Sequence, residues 1–232
     1  QTRKNPEKVR EQLLGMARAS LGEDEVVKNF TPSYNPWDQR LCLMPDGDFF
    51  KAIKGDNACV VTDQIRHFDA AGIQLESGDH LDADIIVTAT GLQLVTVGDM
   101  DFFVDGEQID FAKTWTYRGV GYSGVPNMAS SFGYINASWT LRSDLISEFV
   151  CRLLNHMKDT DTTVCTPRLR PADAAMPERP WIQDFSSGYM ERMMPMMPKQ
   201  GDREPWTNPQ RYSLDKKTLR KAPLEDGAMI FS

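Results

Sequence analysis

Residues 82–94 read DADIIVTATGLQL, and the stretch 84–89 within them carries an unbroken β-branched run, Ile85 to Thr88, with no polar alternation. A strand with one wet face alternates, because successive side chains point to opposite sides; a strand without alternation has both faces covered. The run therefore predicts a strand of a parallel or mixed sheet inside an α/β domain. It stops on Ala89, Thr90 and Gly91, which leave almost no side-chain bulk at the carboxyl end, where ligands of open α/β sheets sit. A flat cofactor has room to approach there. A tight turn needing a permissive glycine is the plainer alternative.

The flanking sequence supplies the rest of an α/β pattern. Asn5, Pro6 and Glu7 form a helix-start signature; Val9, Leu13, Met16, Ala17 and Leu21 recur at helical spacing, and Gly22 supplies a stop. Pro32, Pro36 and Pro45 then impose a loop bearing Tyr34, Trp37 and Arg40. Asp46 is placed to cap a brief helix through Phe49, Phe50 and Ile53, and residues 57–62 (NACVVT) read as a short buried strand. Turn signals at Ala71-Gly72 and Ser77-Gly78-Asp79 predict a hairpin before the β-branched run. Residues 128–132 are the next expected buried strand. The most regular helical stripe follows from Asn136 or Ser138, through Leu145, Ile146, Phe149, Val150, Leu153, Leu154 and Met157. Beyond Asp159, frequent prolines and a methionine cluster, Met190 to Met197, predict a tail wrapped over the domain in short pieces.

Composition limits the partners. A formal charge of −7, with 33 acids against 26 bases and no basic run beyond short pairs, gives no electrostatic footprint for nucleic acid or an anionic membrane. Cys42, Cys59, Cys151 and Cys165 form no CxxC pair, and the three histidines are scattered, so neither a zinc site nor a dithiol redox centre is suggested. Reduced, buried thiols and a cytoplasmic location are the expectation. No apolar run approaches the ~20 residues of a membrane span, and the start at Gln1, already leading into a helix, suggests a fragment.

Two further places hold candidate chemistry. In SSFGYINASW, a strand end, the lone Gly133 and a helix start would combine free amides with the helix dipole, a setting for partial negative charge such as the N1–O2 edge of a reduced flavin; an ordinary βα junction is the alternative. Arg40, beside Trp37, is either a solvated surface residue or a permanent cation delivered by a loop to an anionic intermediate. The methionines read as adaptable core or interface rather than as metal ligands, since no His or Cys accompanies them.

These segments also carry a family resemblance. DADIIVTATGL resembles the acidic-strand-ATG segment of flavin-containing monooxygenases, and YRGVGYSGVPNMASSFGYINASWTLRSDLISEFVCRLLNHM is similar to the C-terminal FAD-domain segment of Baeyer–Villiger-type members. SSGYMERMMPMMPKQGDREPW resembles the tail of the ethionamide-activating mycobacterial group. The resemblance implies an α/β fold, the C-terminal part of a two-dinucleotide-binding-domain, glutathione-reductase-like flavoprotein with an irregular Pro-rich tail. Residues 1–90 would belong to the NADP-binding domain and its crossover strands, 91–160 to the FAD-binding domain and 161–232 to the tail. It also implies FAD and NADPH as cofactors and molecular oxygen as co-substrate. A C4a-(hydro)peroxyflavin would then oxidise a small hydrophobic ketone or a sulfur- or nitrogen-containing substrate.

The resemblance gives roles to individual residues. The loop PWDQR would carry the catalytic arginine, Arg40, holding the nicotinamide ribose and stabilising the anionic oxygenating species. Ala89, Thr90 and Gly91 would mark the crossing between domains near both cofactors. Gly133, Tyr134, Ile135, Asn136, Ala137, Ser138 and Trp139 would bring main-chain amides near the pyrimidine edge of the isoalloxazine.

The chain also departs from the family pattern. No GxGxxG stands between a first strand and a helix; GVGYSG lies in the C-terminal FAD region instead, and the fingerprint between two Gly-rich motifs is missing. The chain thus resembles a C-terminal half, for which exposed sheet edges and pairing with an N-terminal half or a second copy are expected. A non-catalytic remnant acting through association is the alternative, and a disulfide-reductase relative is disfavoured by the lack of a cysteine pair.

Overall fold

The computed structural model describes residues 2, 4–42, 44–55, 57–183 and 185–232, with the side chain of Thr96 apart. It is a mixture of helices and short strands divided into two compact units, Gln1–Leu92 and Gln93–Ser232.

The first unit begins with α1 (Pro6–Leu21), started by proline in its first turn and stopped at Gly22, whose φ of +91° lets its N–H turn back to Arg18 O at 2.9 Å. Gly22 also opens α2 (Glu23–Asn29), so two helices meet at one residue that only glycine accommodates easily. Leu14 and Ala17 of α1 bury against Val26 of α2, and Leu21, Phe30 and Phe50 close this small core. The brief helix expected after Asp46 is α3 (Asp48–Lys54), but Gly47 holds the cap position and Asp46 makes no capping bond. An antiparallel sheet follows, β1 (Ile65–Phe68), β2 (Gly72–Leu75) and β3 (His80–Asp82), in sequential order. Its first turn is fixed by Asp69, whose carboxylate accepts from the amides of Ala71 and Gly72 at 2.8 and 2.9 Å.

Three expected strands do not form. Residues 84–89 carry no strand pairing, and Ile85 and Val87 are 82% and 83% exposed. Residues 57–62 are unpaired and mostly exposed, and 128–132 run without a ladder. The physical reason is common to all three. A strand exists only where a neighbour accepts a row of its backbone hydrogen bonds, and among the described residues these segments have at most one such bond, from Ser130 N to Val120 O at 2.9 Å.

The second unit is organised on α4 (Trp139–Asp159), which stands where the apolar stripe placed it. Leu145, Ile146, Phe149, Leu153 and Met157 bury one face of it, while Leu154 is exposed. Two small hairpins precede it, β4 (Phe103–Val104) with β5 (Glu107–Gln108), and β6 (Thr116–Tyr117) with β7 (Gly121–Tyr122). The chain after α4 does more than cover a finished domain. It adds β8 (Cys165–Pro167), α5 (Gly188–Met193), α6 (Tyr212–Lys221) and β9 (Met229–Phe231), and β9 pairs antiparallel with β8. Trp206, Leu219, Ala228 and Met229 from this stretch enter the same core as Tyr117, Leu145 and Phe149. Cys165 is buried there, whereas Cys42, Cys59 and Cys151 are exposed, against the expectation of buried thiols, because the segments or helix faces that carry them are left uncovered. No helix is long and apolar enough to cross a membrane among the described residues.

Candidate functional site

Arg40 follows a tight turn in the first unit. Asp38 N donates to Asn35 O at 3.0 Å, Asn35 N donates to the Asp38 carboxylate at 3.2 Å, and Trp37 adopts a φ of +73° between them. Arg10 of α1 pins the loop by donating to Pro32 O at 2.6 Å and Tyr34 O at 3.2 Å. The exposed Arg40 guanidinium, without an ion pair among the described residues, lies at a cavity of about 280 Å³ whose walls include Leu14, Phe30, Trp37 and Phe50. An unpaired cation beside apolar walls is suited to an anionic group on a largely apolar molecule.

Ala89, Thr90 and Gly91 are exposed, and Gly91 has a φ of +100° with open space where a Cβ would stand. Glycine is needed there for its conformation, and nothing among the described residues presses on it. No hydrogen bond joins this segment to Arg40 among the described residues.

Positions 133–139 lie in the second unit and divide into two parts. Gly133, Tyr134 and Ile135 are buried: a Cβ on Gly133 would stand 2.2 Å from the Trp139 ring, so the glycine makes room for that indole. Gln210 grips both ends of this short stretch, its amide donating to Gly133 O at 3.3 Å and accepting from Ile135 N at 3.1 Å. Asn136, Ala137, Ser138 and Trp139 are exposed and lead into α4, whose amino end has no side-chain cap. Ser138 Oγ pairs with Thr140 Oγ1 at 2.9 Å instead of with a main-chain amide. The amides at this end are thus available to an electron-rich group, whereas that of Ile135 is already used.

Beneath this segment lies a buried polar cluster. Arg142, fully buried on α4, donates to Phe132 O at 2.9 Å, Gly119 O at 3.3 Å and Asn208 Oδ1 at 3.0 Å, and faces Asp215 of α6 at 3.5 Å. Burial pushes the Asp215 carboxyl upward while Arg142 opposes the shift, and burial likewise lowers Arg142 and raises Tyr134, whose ring lies 6.0 Å from the guanidinium. The same arginine explains GVGYSG. The segment runs from the turn of the β6–β7 hairpin through β7, and a Cβ on Gly119 would stand 2.2 Å from Arg142 Nη2, so the first glycine of the stretch makes room for a side chain of this chain. Sequence reasoning missed Arg142, Asp215, Asn208 and Gln210. One signal was present: Arg142 falls on the apolar stripe of α4, three residues before Leu145, where a charge is buried by geometry.

Tested for fit to a flavin nucleotide, the described residues offer an uncapped helix start with exposed neighbours, suited to an electron-rich ring edge. They offer no glycine loop opening a helix after a strand for the phosphates.

No protein-family model matches the chain. Among individual proteins, it is 47% identical to the FAD-containing monooxygenase EthA of Mycobacterium tuberculosis (strain CDC 1551 / Oshkosh) over 230 residues, which is 98% of this chain and 46% of the relative. It is 44% identical to the probable FAD-binding monooxygenase AlmA of Acinetobacter baylyi, and 44% identical to the putative FAD-containing monooxygenase MymA of M. tuberculosis, in each case over 99% of this chain and 46% of the relative. The chain therefore spans about half the length of the curated relatives it matches.

Proposed function

Because the chain corresponds to the C-terminal half of an EthA-like FAD-containing monooxygenase, we propose that it contributes this half of the machinery for FAD- and NADPH-dependent oxygenation. The reaction classes would be Baeyer–Villiger oxidation of a ketone and oxygenation of sulfur or nitrogen. The observation that carries the reading is similarity at 44–47% identity along nearly the whole chain to proteins named as flavin monooxygenases.

Bound flavin would supply the redox chemistry, taking electrons from NADPH and activating oxygen. The protein's share is charge and position. Arg40 offers a cation placed to hold an anionic group against apolar walls. Asn136, Ala137, Ser138 and Trp139 offer the open amide end of α4 to the electron-rich pyrimidine edge, and Gln210 with Arg142 keeps the preceding backbone fixed. Gly91, open on its Cβ side, leaves room for a cofactor to pass close.

The test begins with the visible spectrum of the purified chain after incubation with FAD and desalting. A stoichiometric flavin band followed by ketone-dependent NADPH oxidation is expected if this half builds the site. Arg40→Ala should then keep the band and lose turnover, and retained turnover would remove Arg40 from the reaction. A bulky residue at Gly91 should weaken FAD or NADPH binding.

A colourless chain would favour a second reading, a chain that works only in association. That reading draws on one specific observation, the unpaired and exposed run at Ile85 and Val87.

A further inference from the structure

The three-stranded sheet of the first unit carries a titratable cluster that the proposed site leaves unused. Cross-strand pairing lines up His67 of β1, Gln74 of β2 and His80 of β3 on one face. The His80 ring stands between two carboxylates: Nε2 lies 3.1 Å from Asp69 Oδ2 in the β1–β2 turn, and Nδ1 lies 2.9 Å from Asp82 Oδ1 at the end of β3. Asp69 is itself fixed, because its Oδ1 accepts from the amides of Ala71 and Gly72. Behind it the turn and β3 lie close together, where a Cβ on Gly72 would stand 2.0 Å from Leu81 O. Asp82 has no second hold: its side chain is 94% exposed and bonds only His80 among the described residues.

A carboxylate only accepts, so a ring nitrogen that faces one must carry a hydrogen. Both His80 nitrogens face one, and both carry hydrogen only in the imidazolium. The neutral ring turns a lone pair on one of the two aspartates. Gln74, the cross-strand neighbour, gives no relief, since its amide nitrogen donates to the carbonyls of Gly78 and Asp79 at 3.1 and 3.0 Å, and His67 stands one strand further away. Asp69 and Asp82 are the charged groups that act on the ring, and the hydrogen bond to Asp69 foremost raises the His80 pKa above its ordinary 6.5.

We propose that His80 is a pH-operated clasp on the end of β3: as imidazolium it ties Asp82 to the Asp69 turn, and when its Nδ1 proton passes to solvent it keeps Asp69 and releases Asp82. Asp69 is the partner kept because two amides already hold its carboxylate. Asp82 leads into the unpaired run at 84–89 and on to Ala89-Thr90-Gly91, so the clasp sets how firmly that stretch is anchored at its start. The next hold to fray is the bond from Ala83 N to Ala71 O at 3.0 Å. Because the folded pKa is the higher one, the clasp is complete below pH ~6.5 and is lost as pH rises through the folded value. The meaning of this for a passing cofactor rests on the monooxygenase reading. The clasp itself is three side chains of one unit and is measured without flavin, so the two ideas fail separately.

The cluster is open to solvent, so the effect is local and the readout must be local too. The experiment uses the 232-residue chain with 13C-labelled alanine methyls, whose order parameters report the backbone. Between pH ~5 and ~8.5, Ala83 should fall from the rigid range near ~0.85 toward ~0.6, with the same midpoint as the His80 ring resonance, while Ala71 stays rigid. His80→Ala should leave Ala83 mobile at both ends of the range. Asp82→Asn should do the reverse and keep Ala83 rigid throughout, because an amide can accept from Nδ1–H or donate to the bare Nδ1. Asp69→Asn, which retains the oxygen that the turn amides need, should lower the His80 midpoint. An Ala83 order parameter that ignores the His80 titration would overturn the proposal. So would an Asp82→Asn chain that follows the pH course of the parent.

Discussion

Arg142 and Asp215 carry opposite charges in a place closed to bulk solvent, so each is tolerable only while the other is present. Arg142→Met should cost about 3–5 kcal/mol, because it strands a buried carboxylate and releases Phe132 O and Gly119 O. Arg142→Met combined with Asp215→Leu should recover a large part of that loss. Urea midpoints would decide, and a single variant within ~1 kcal/mol of the parent would show the pair to be energetically idle. Asp173 gives the acid limb of stability. Its carboxylate accepts from Arg170 Nε at 2.7 Å and Trp206 Nε1 at 2.8 Å, which, Arg170 foremost, hold its pKa at about 2 against 3.8. Because the folded value is the lower one, the stabilisation is complete above pH ~4 and disappears as pH falls toward about 2. Asp173→Asn should therefore remove roughly 2 kcal/mol at neutral pH and flatten the decline between pH 4 and 2, a shape that acid titration of the melting temperature would reveal.

At the scale of elements, α4 and α6 owe their association to different things on different faces. Leu145 is fully buried between α4 and the core, so Leu145→Ala should cost about 2–5 kcal/mol. Glu148 and Arg220 pair across the same two helices at the surface, and Glu148→Ala should cost less than ~1 kcal/mol. Denaturation of the two variants side by side tests whether apolar burial or the ion pair joins the helices. The run at residues 84–89 is the opposite case, an element that the amino acids favour and the surroundings do not complete. Replacing Ile85 and Val87 by lysine should leave stability within ~0.5 kcal/mol, since both side chains already face solvent, and should reduce self-association in sedimentation. A loss of several kcal/mol would mean that these side chains are covered in solution.

For the whole molecule, the two units differ in how much they bury. The first closes on Leu14, Ala17 and Val26, the second on a cluster that includes Tyr117, Leu145, Phe149, Trp206 and Leu219. Hydrogen exchange should accordingly find α4 amides protected at least tenfold more than those of α1, and equal protection would indicate a single cooperative structure. The two units also mark how far sequence reading reaches. Helices α1 and α4 and the turns at Ala71-Gly72 and Ser77-Gly78-Asp79 were legible because periodicity, a proline in the first helical turn and turn chemistry are properties of neighbouring residues, although neither Asn5 nor Ser138 makes the side-chain cap its type suggests. The relation to flavin monooxygenases was legible for a similar reason, since ordered segments persist in the amino acids themselves. Tertiary structure alone decided that residues 84–89 stay unpaired, that Gly119 makes room for Arg142, that Gln210 grips Gly133 and Ile135, and that Trp206 joins the core. Each of these depends on a partner distant along the chain. Local pattern specifies what a segment is suited to become, whereas pairing, burial and the satisfaction of a buried charge exist only when the partner arrives in space.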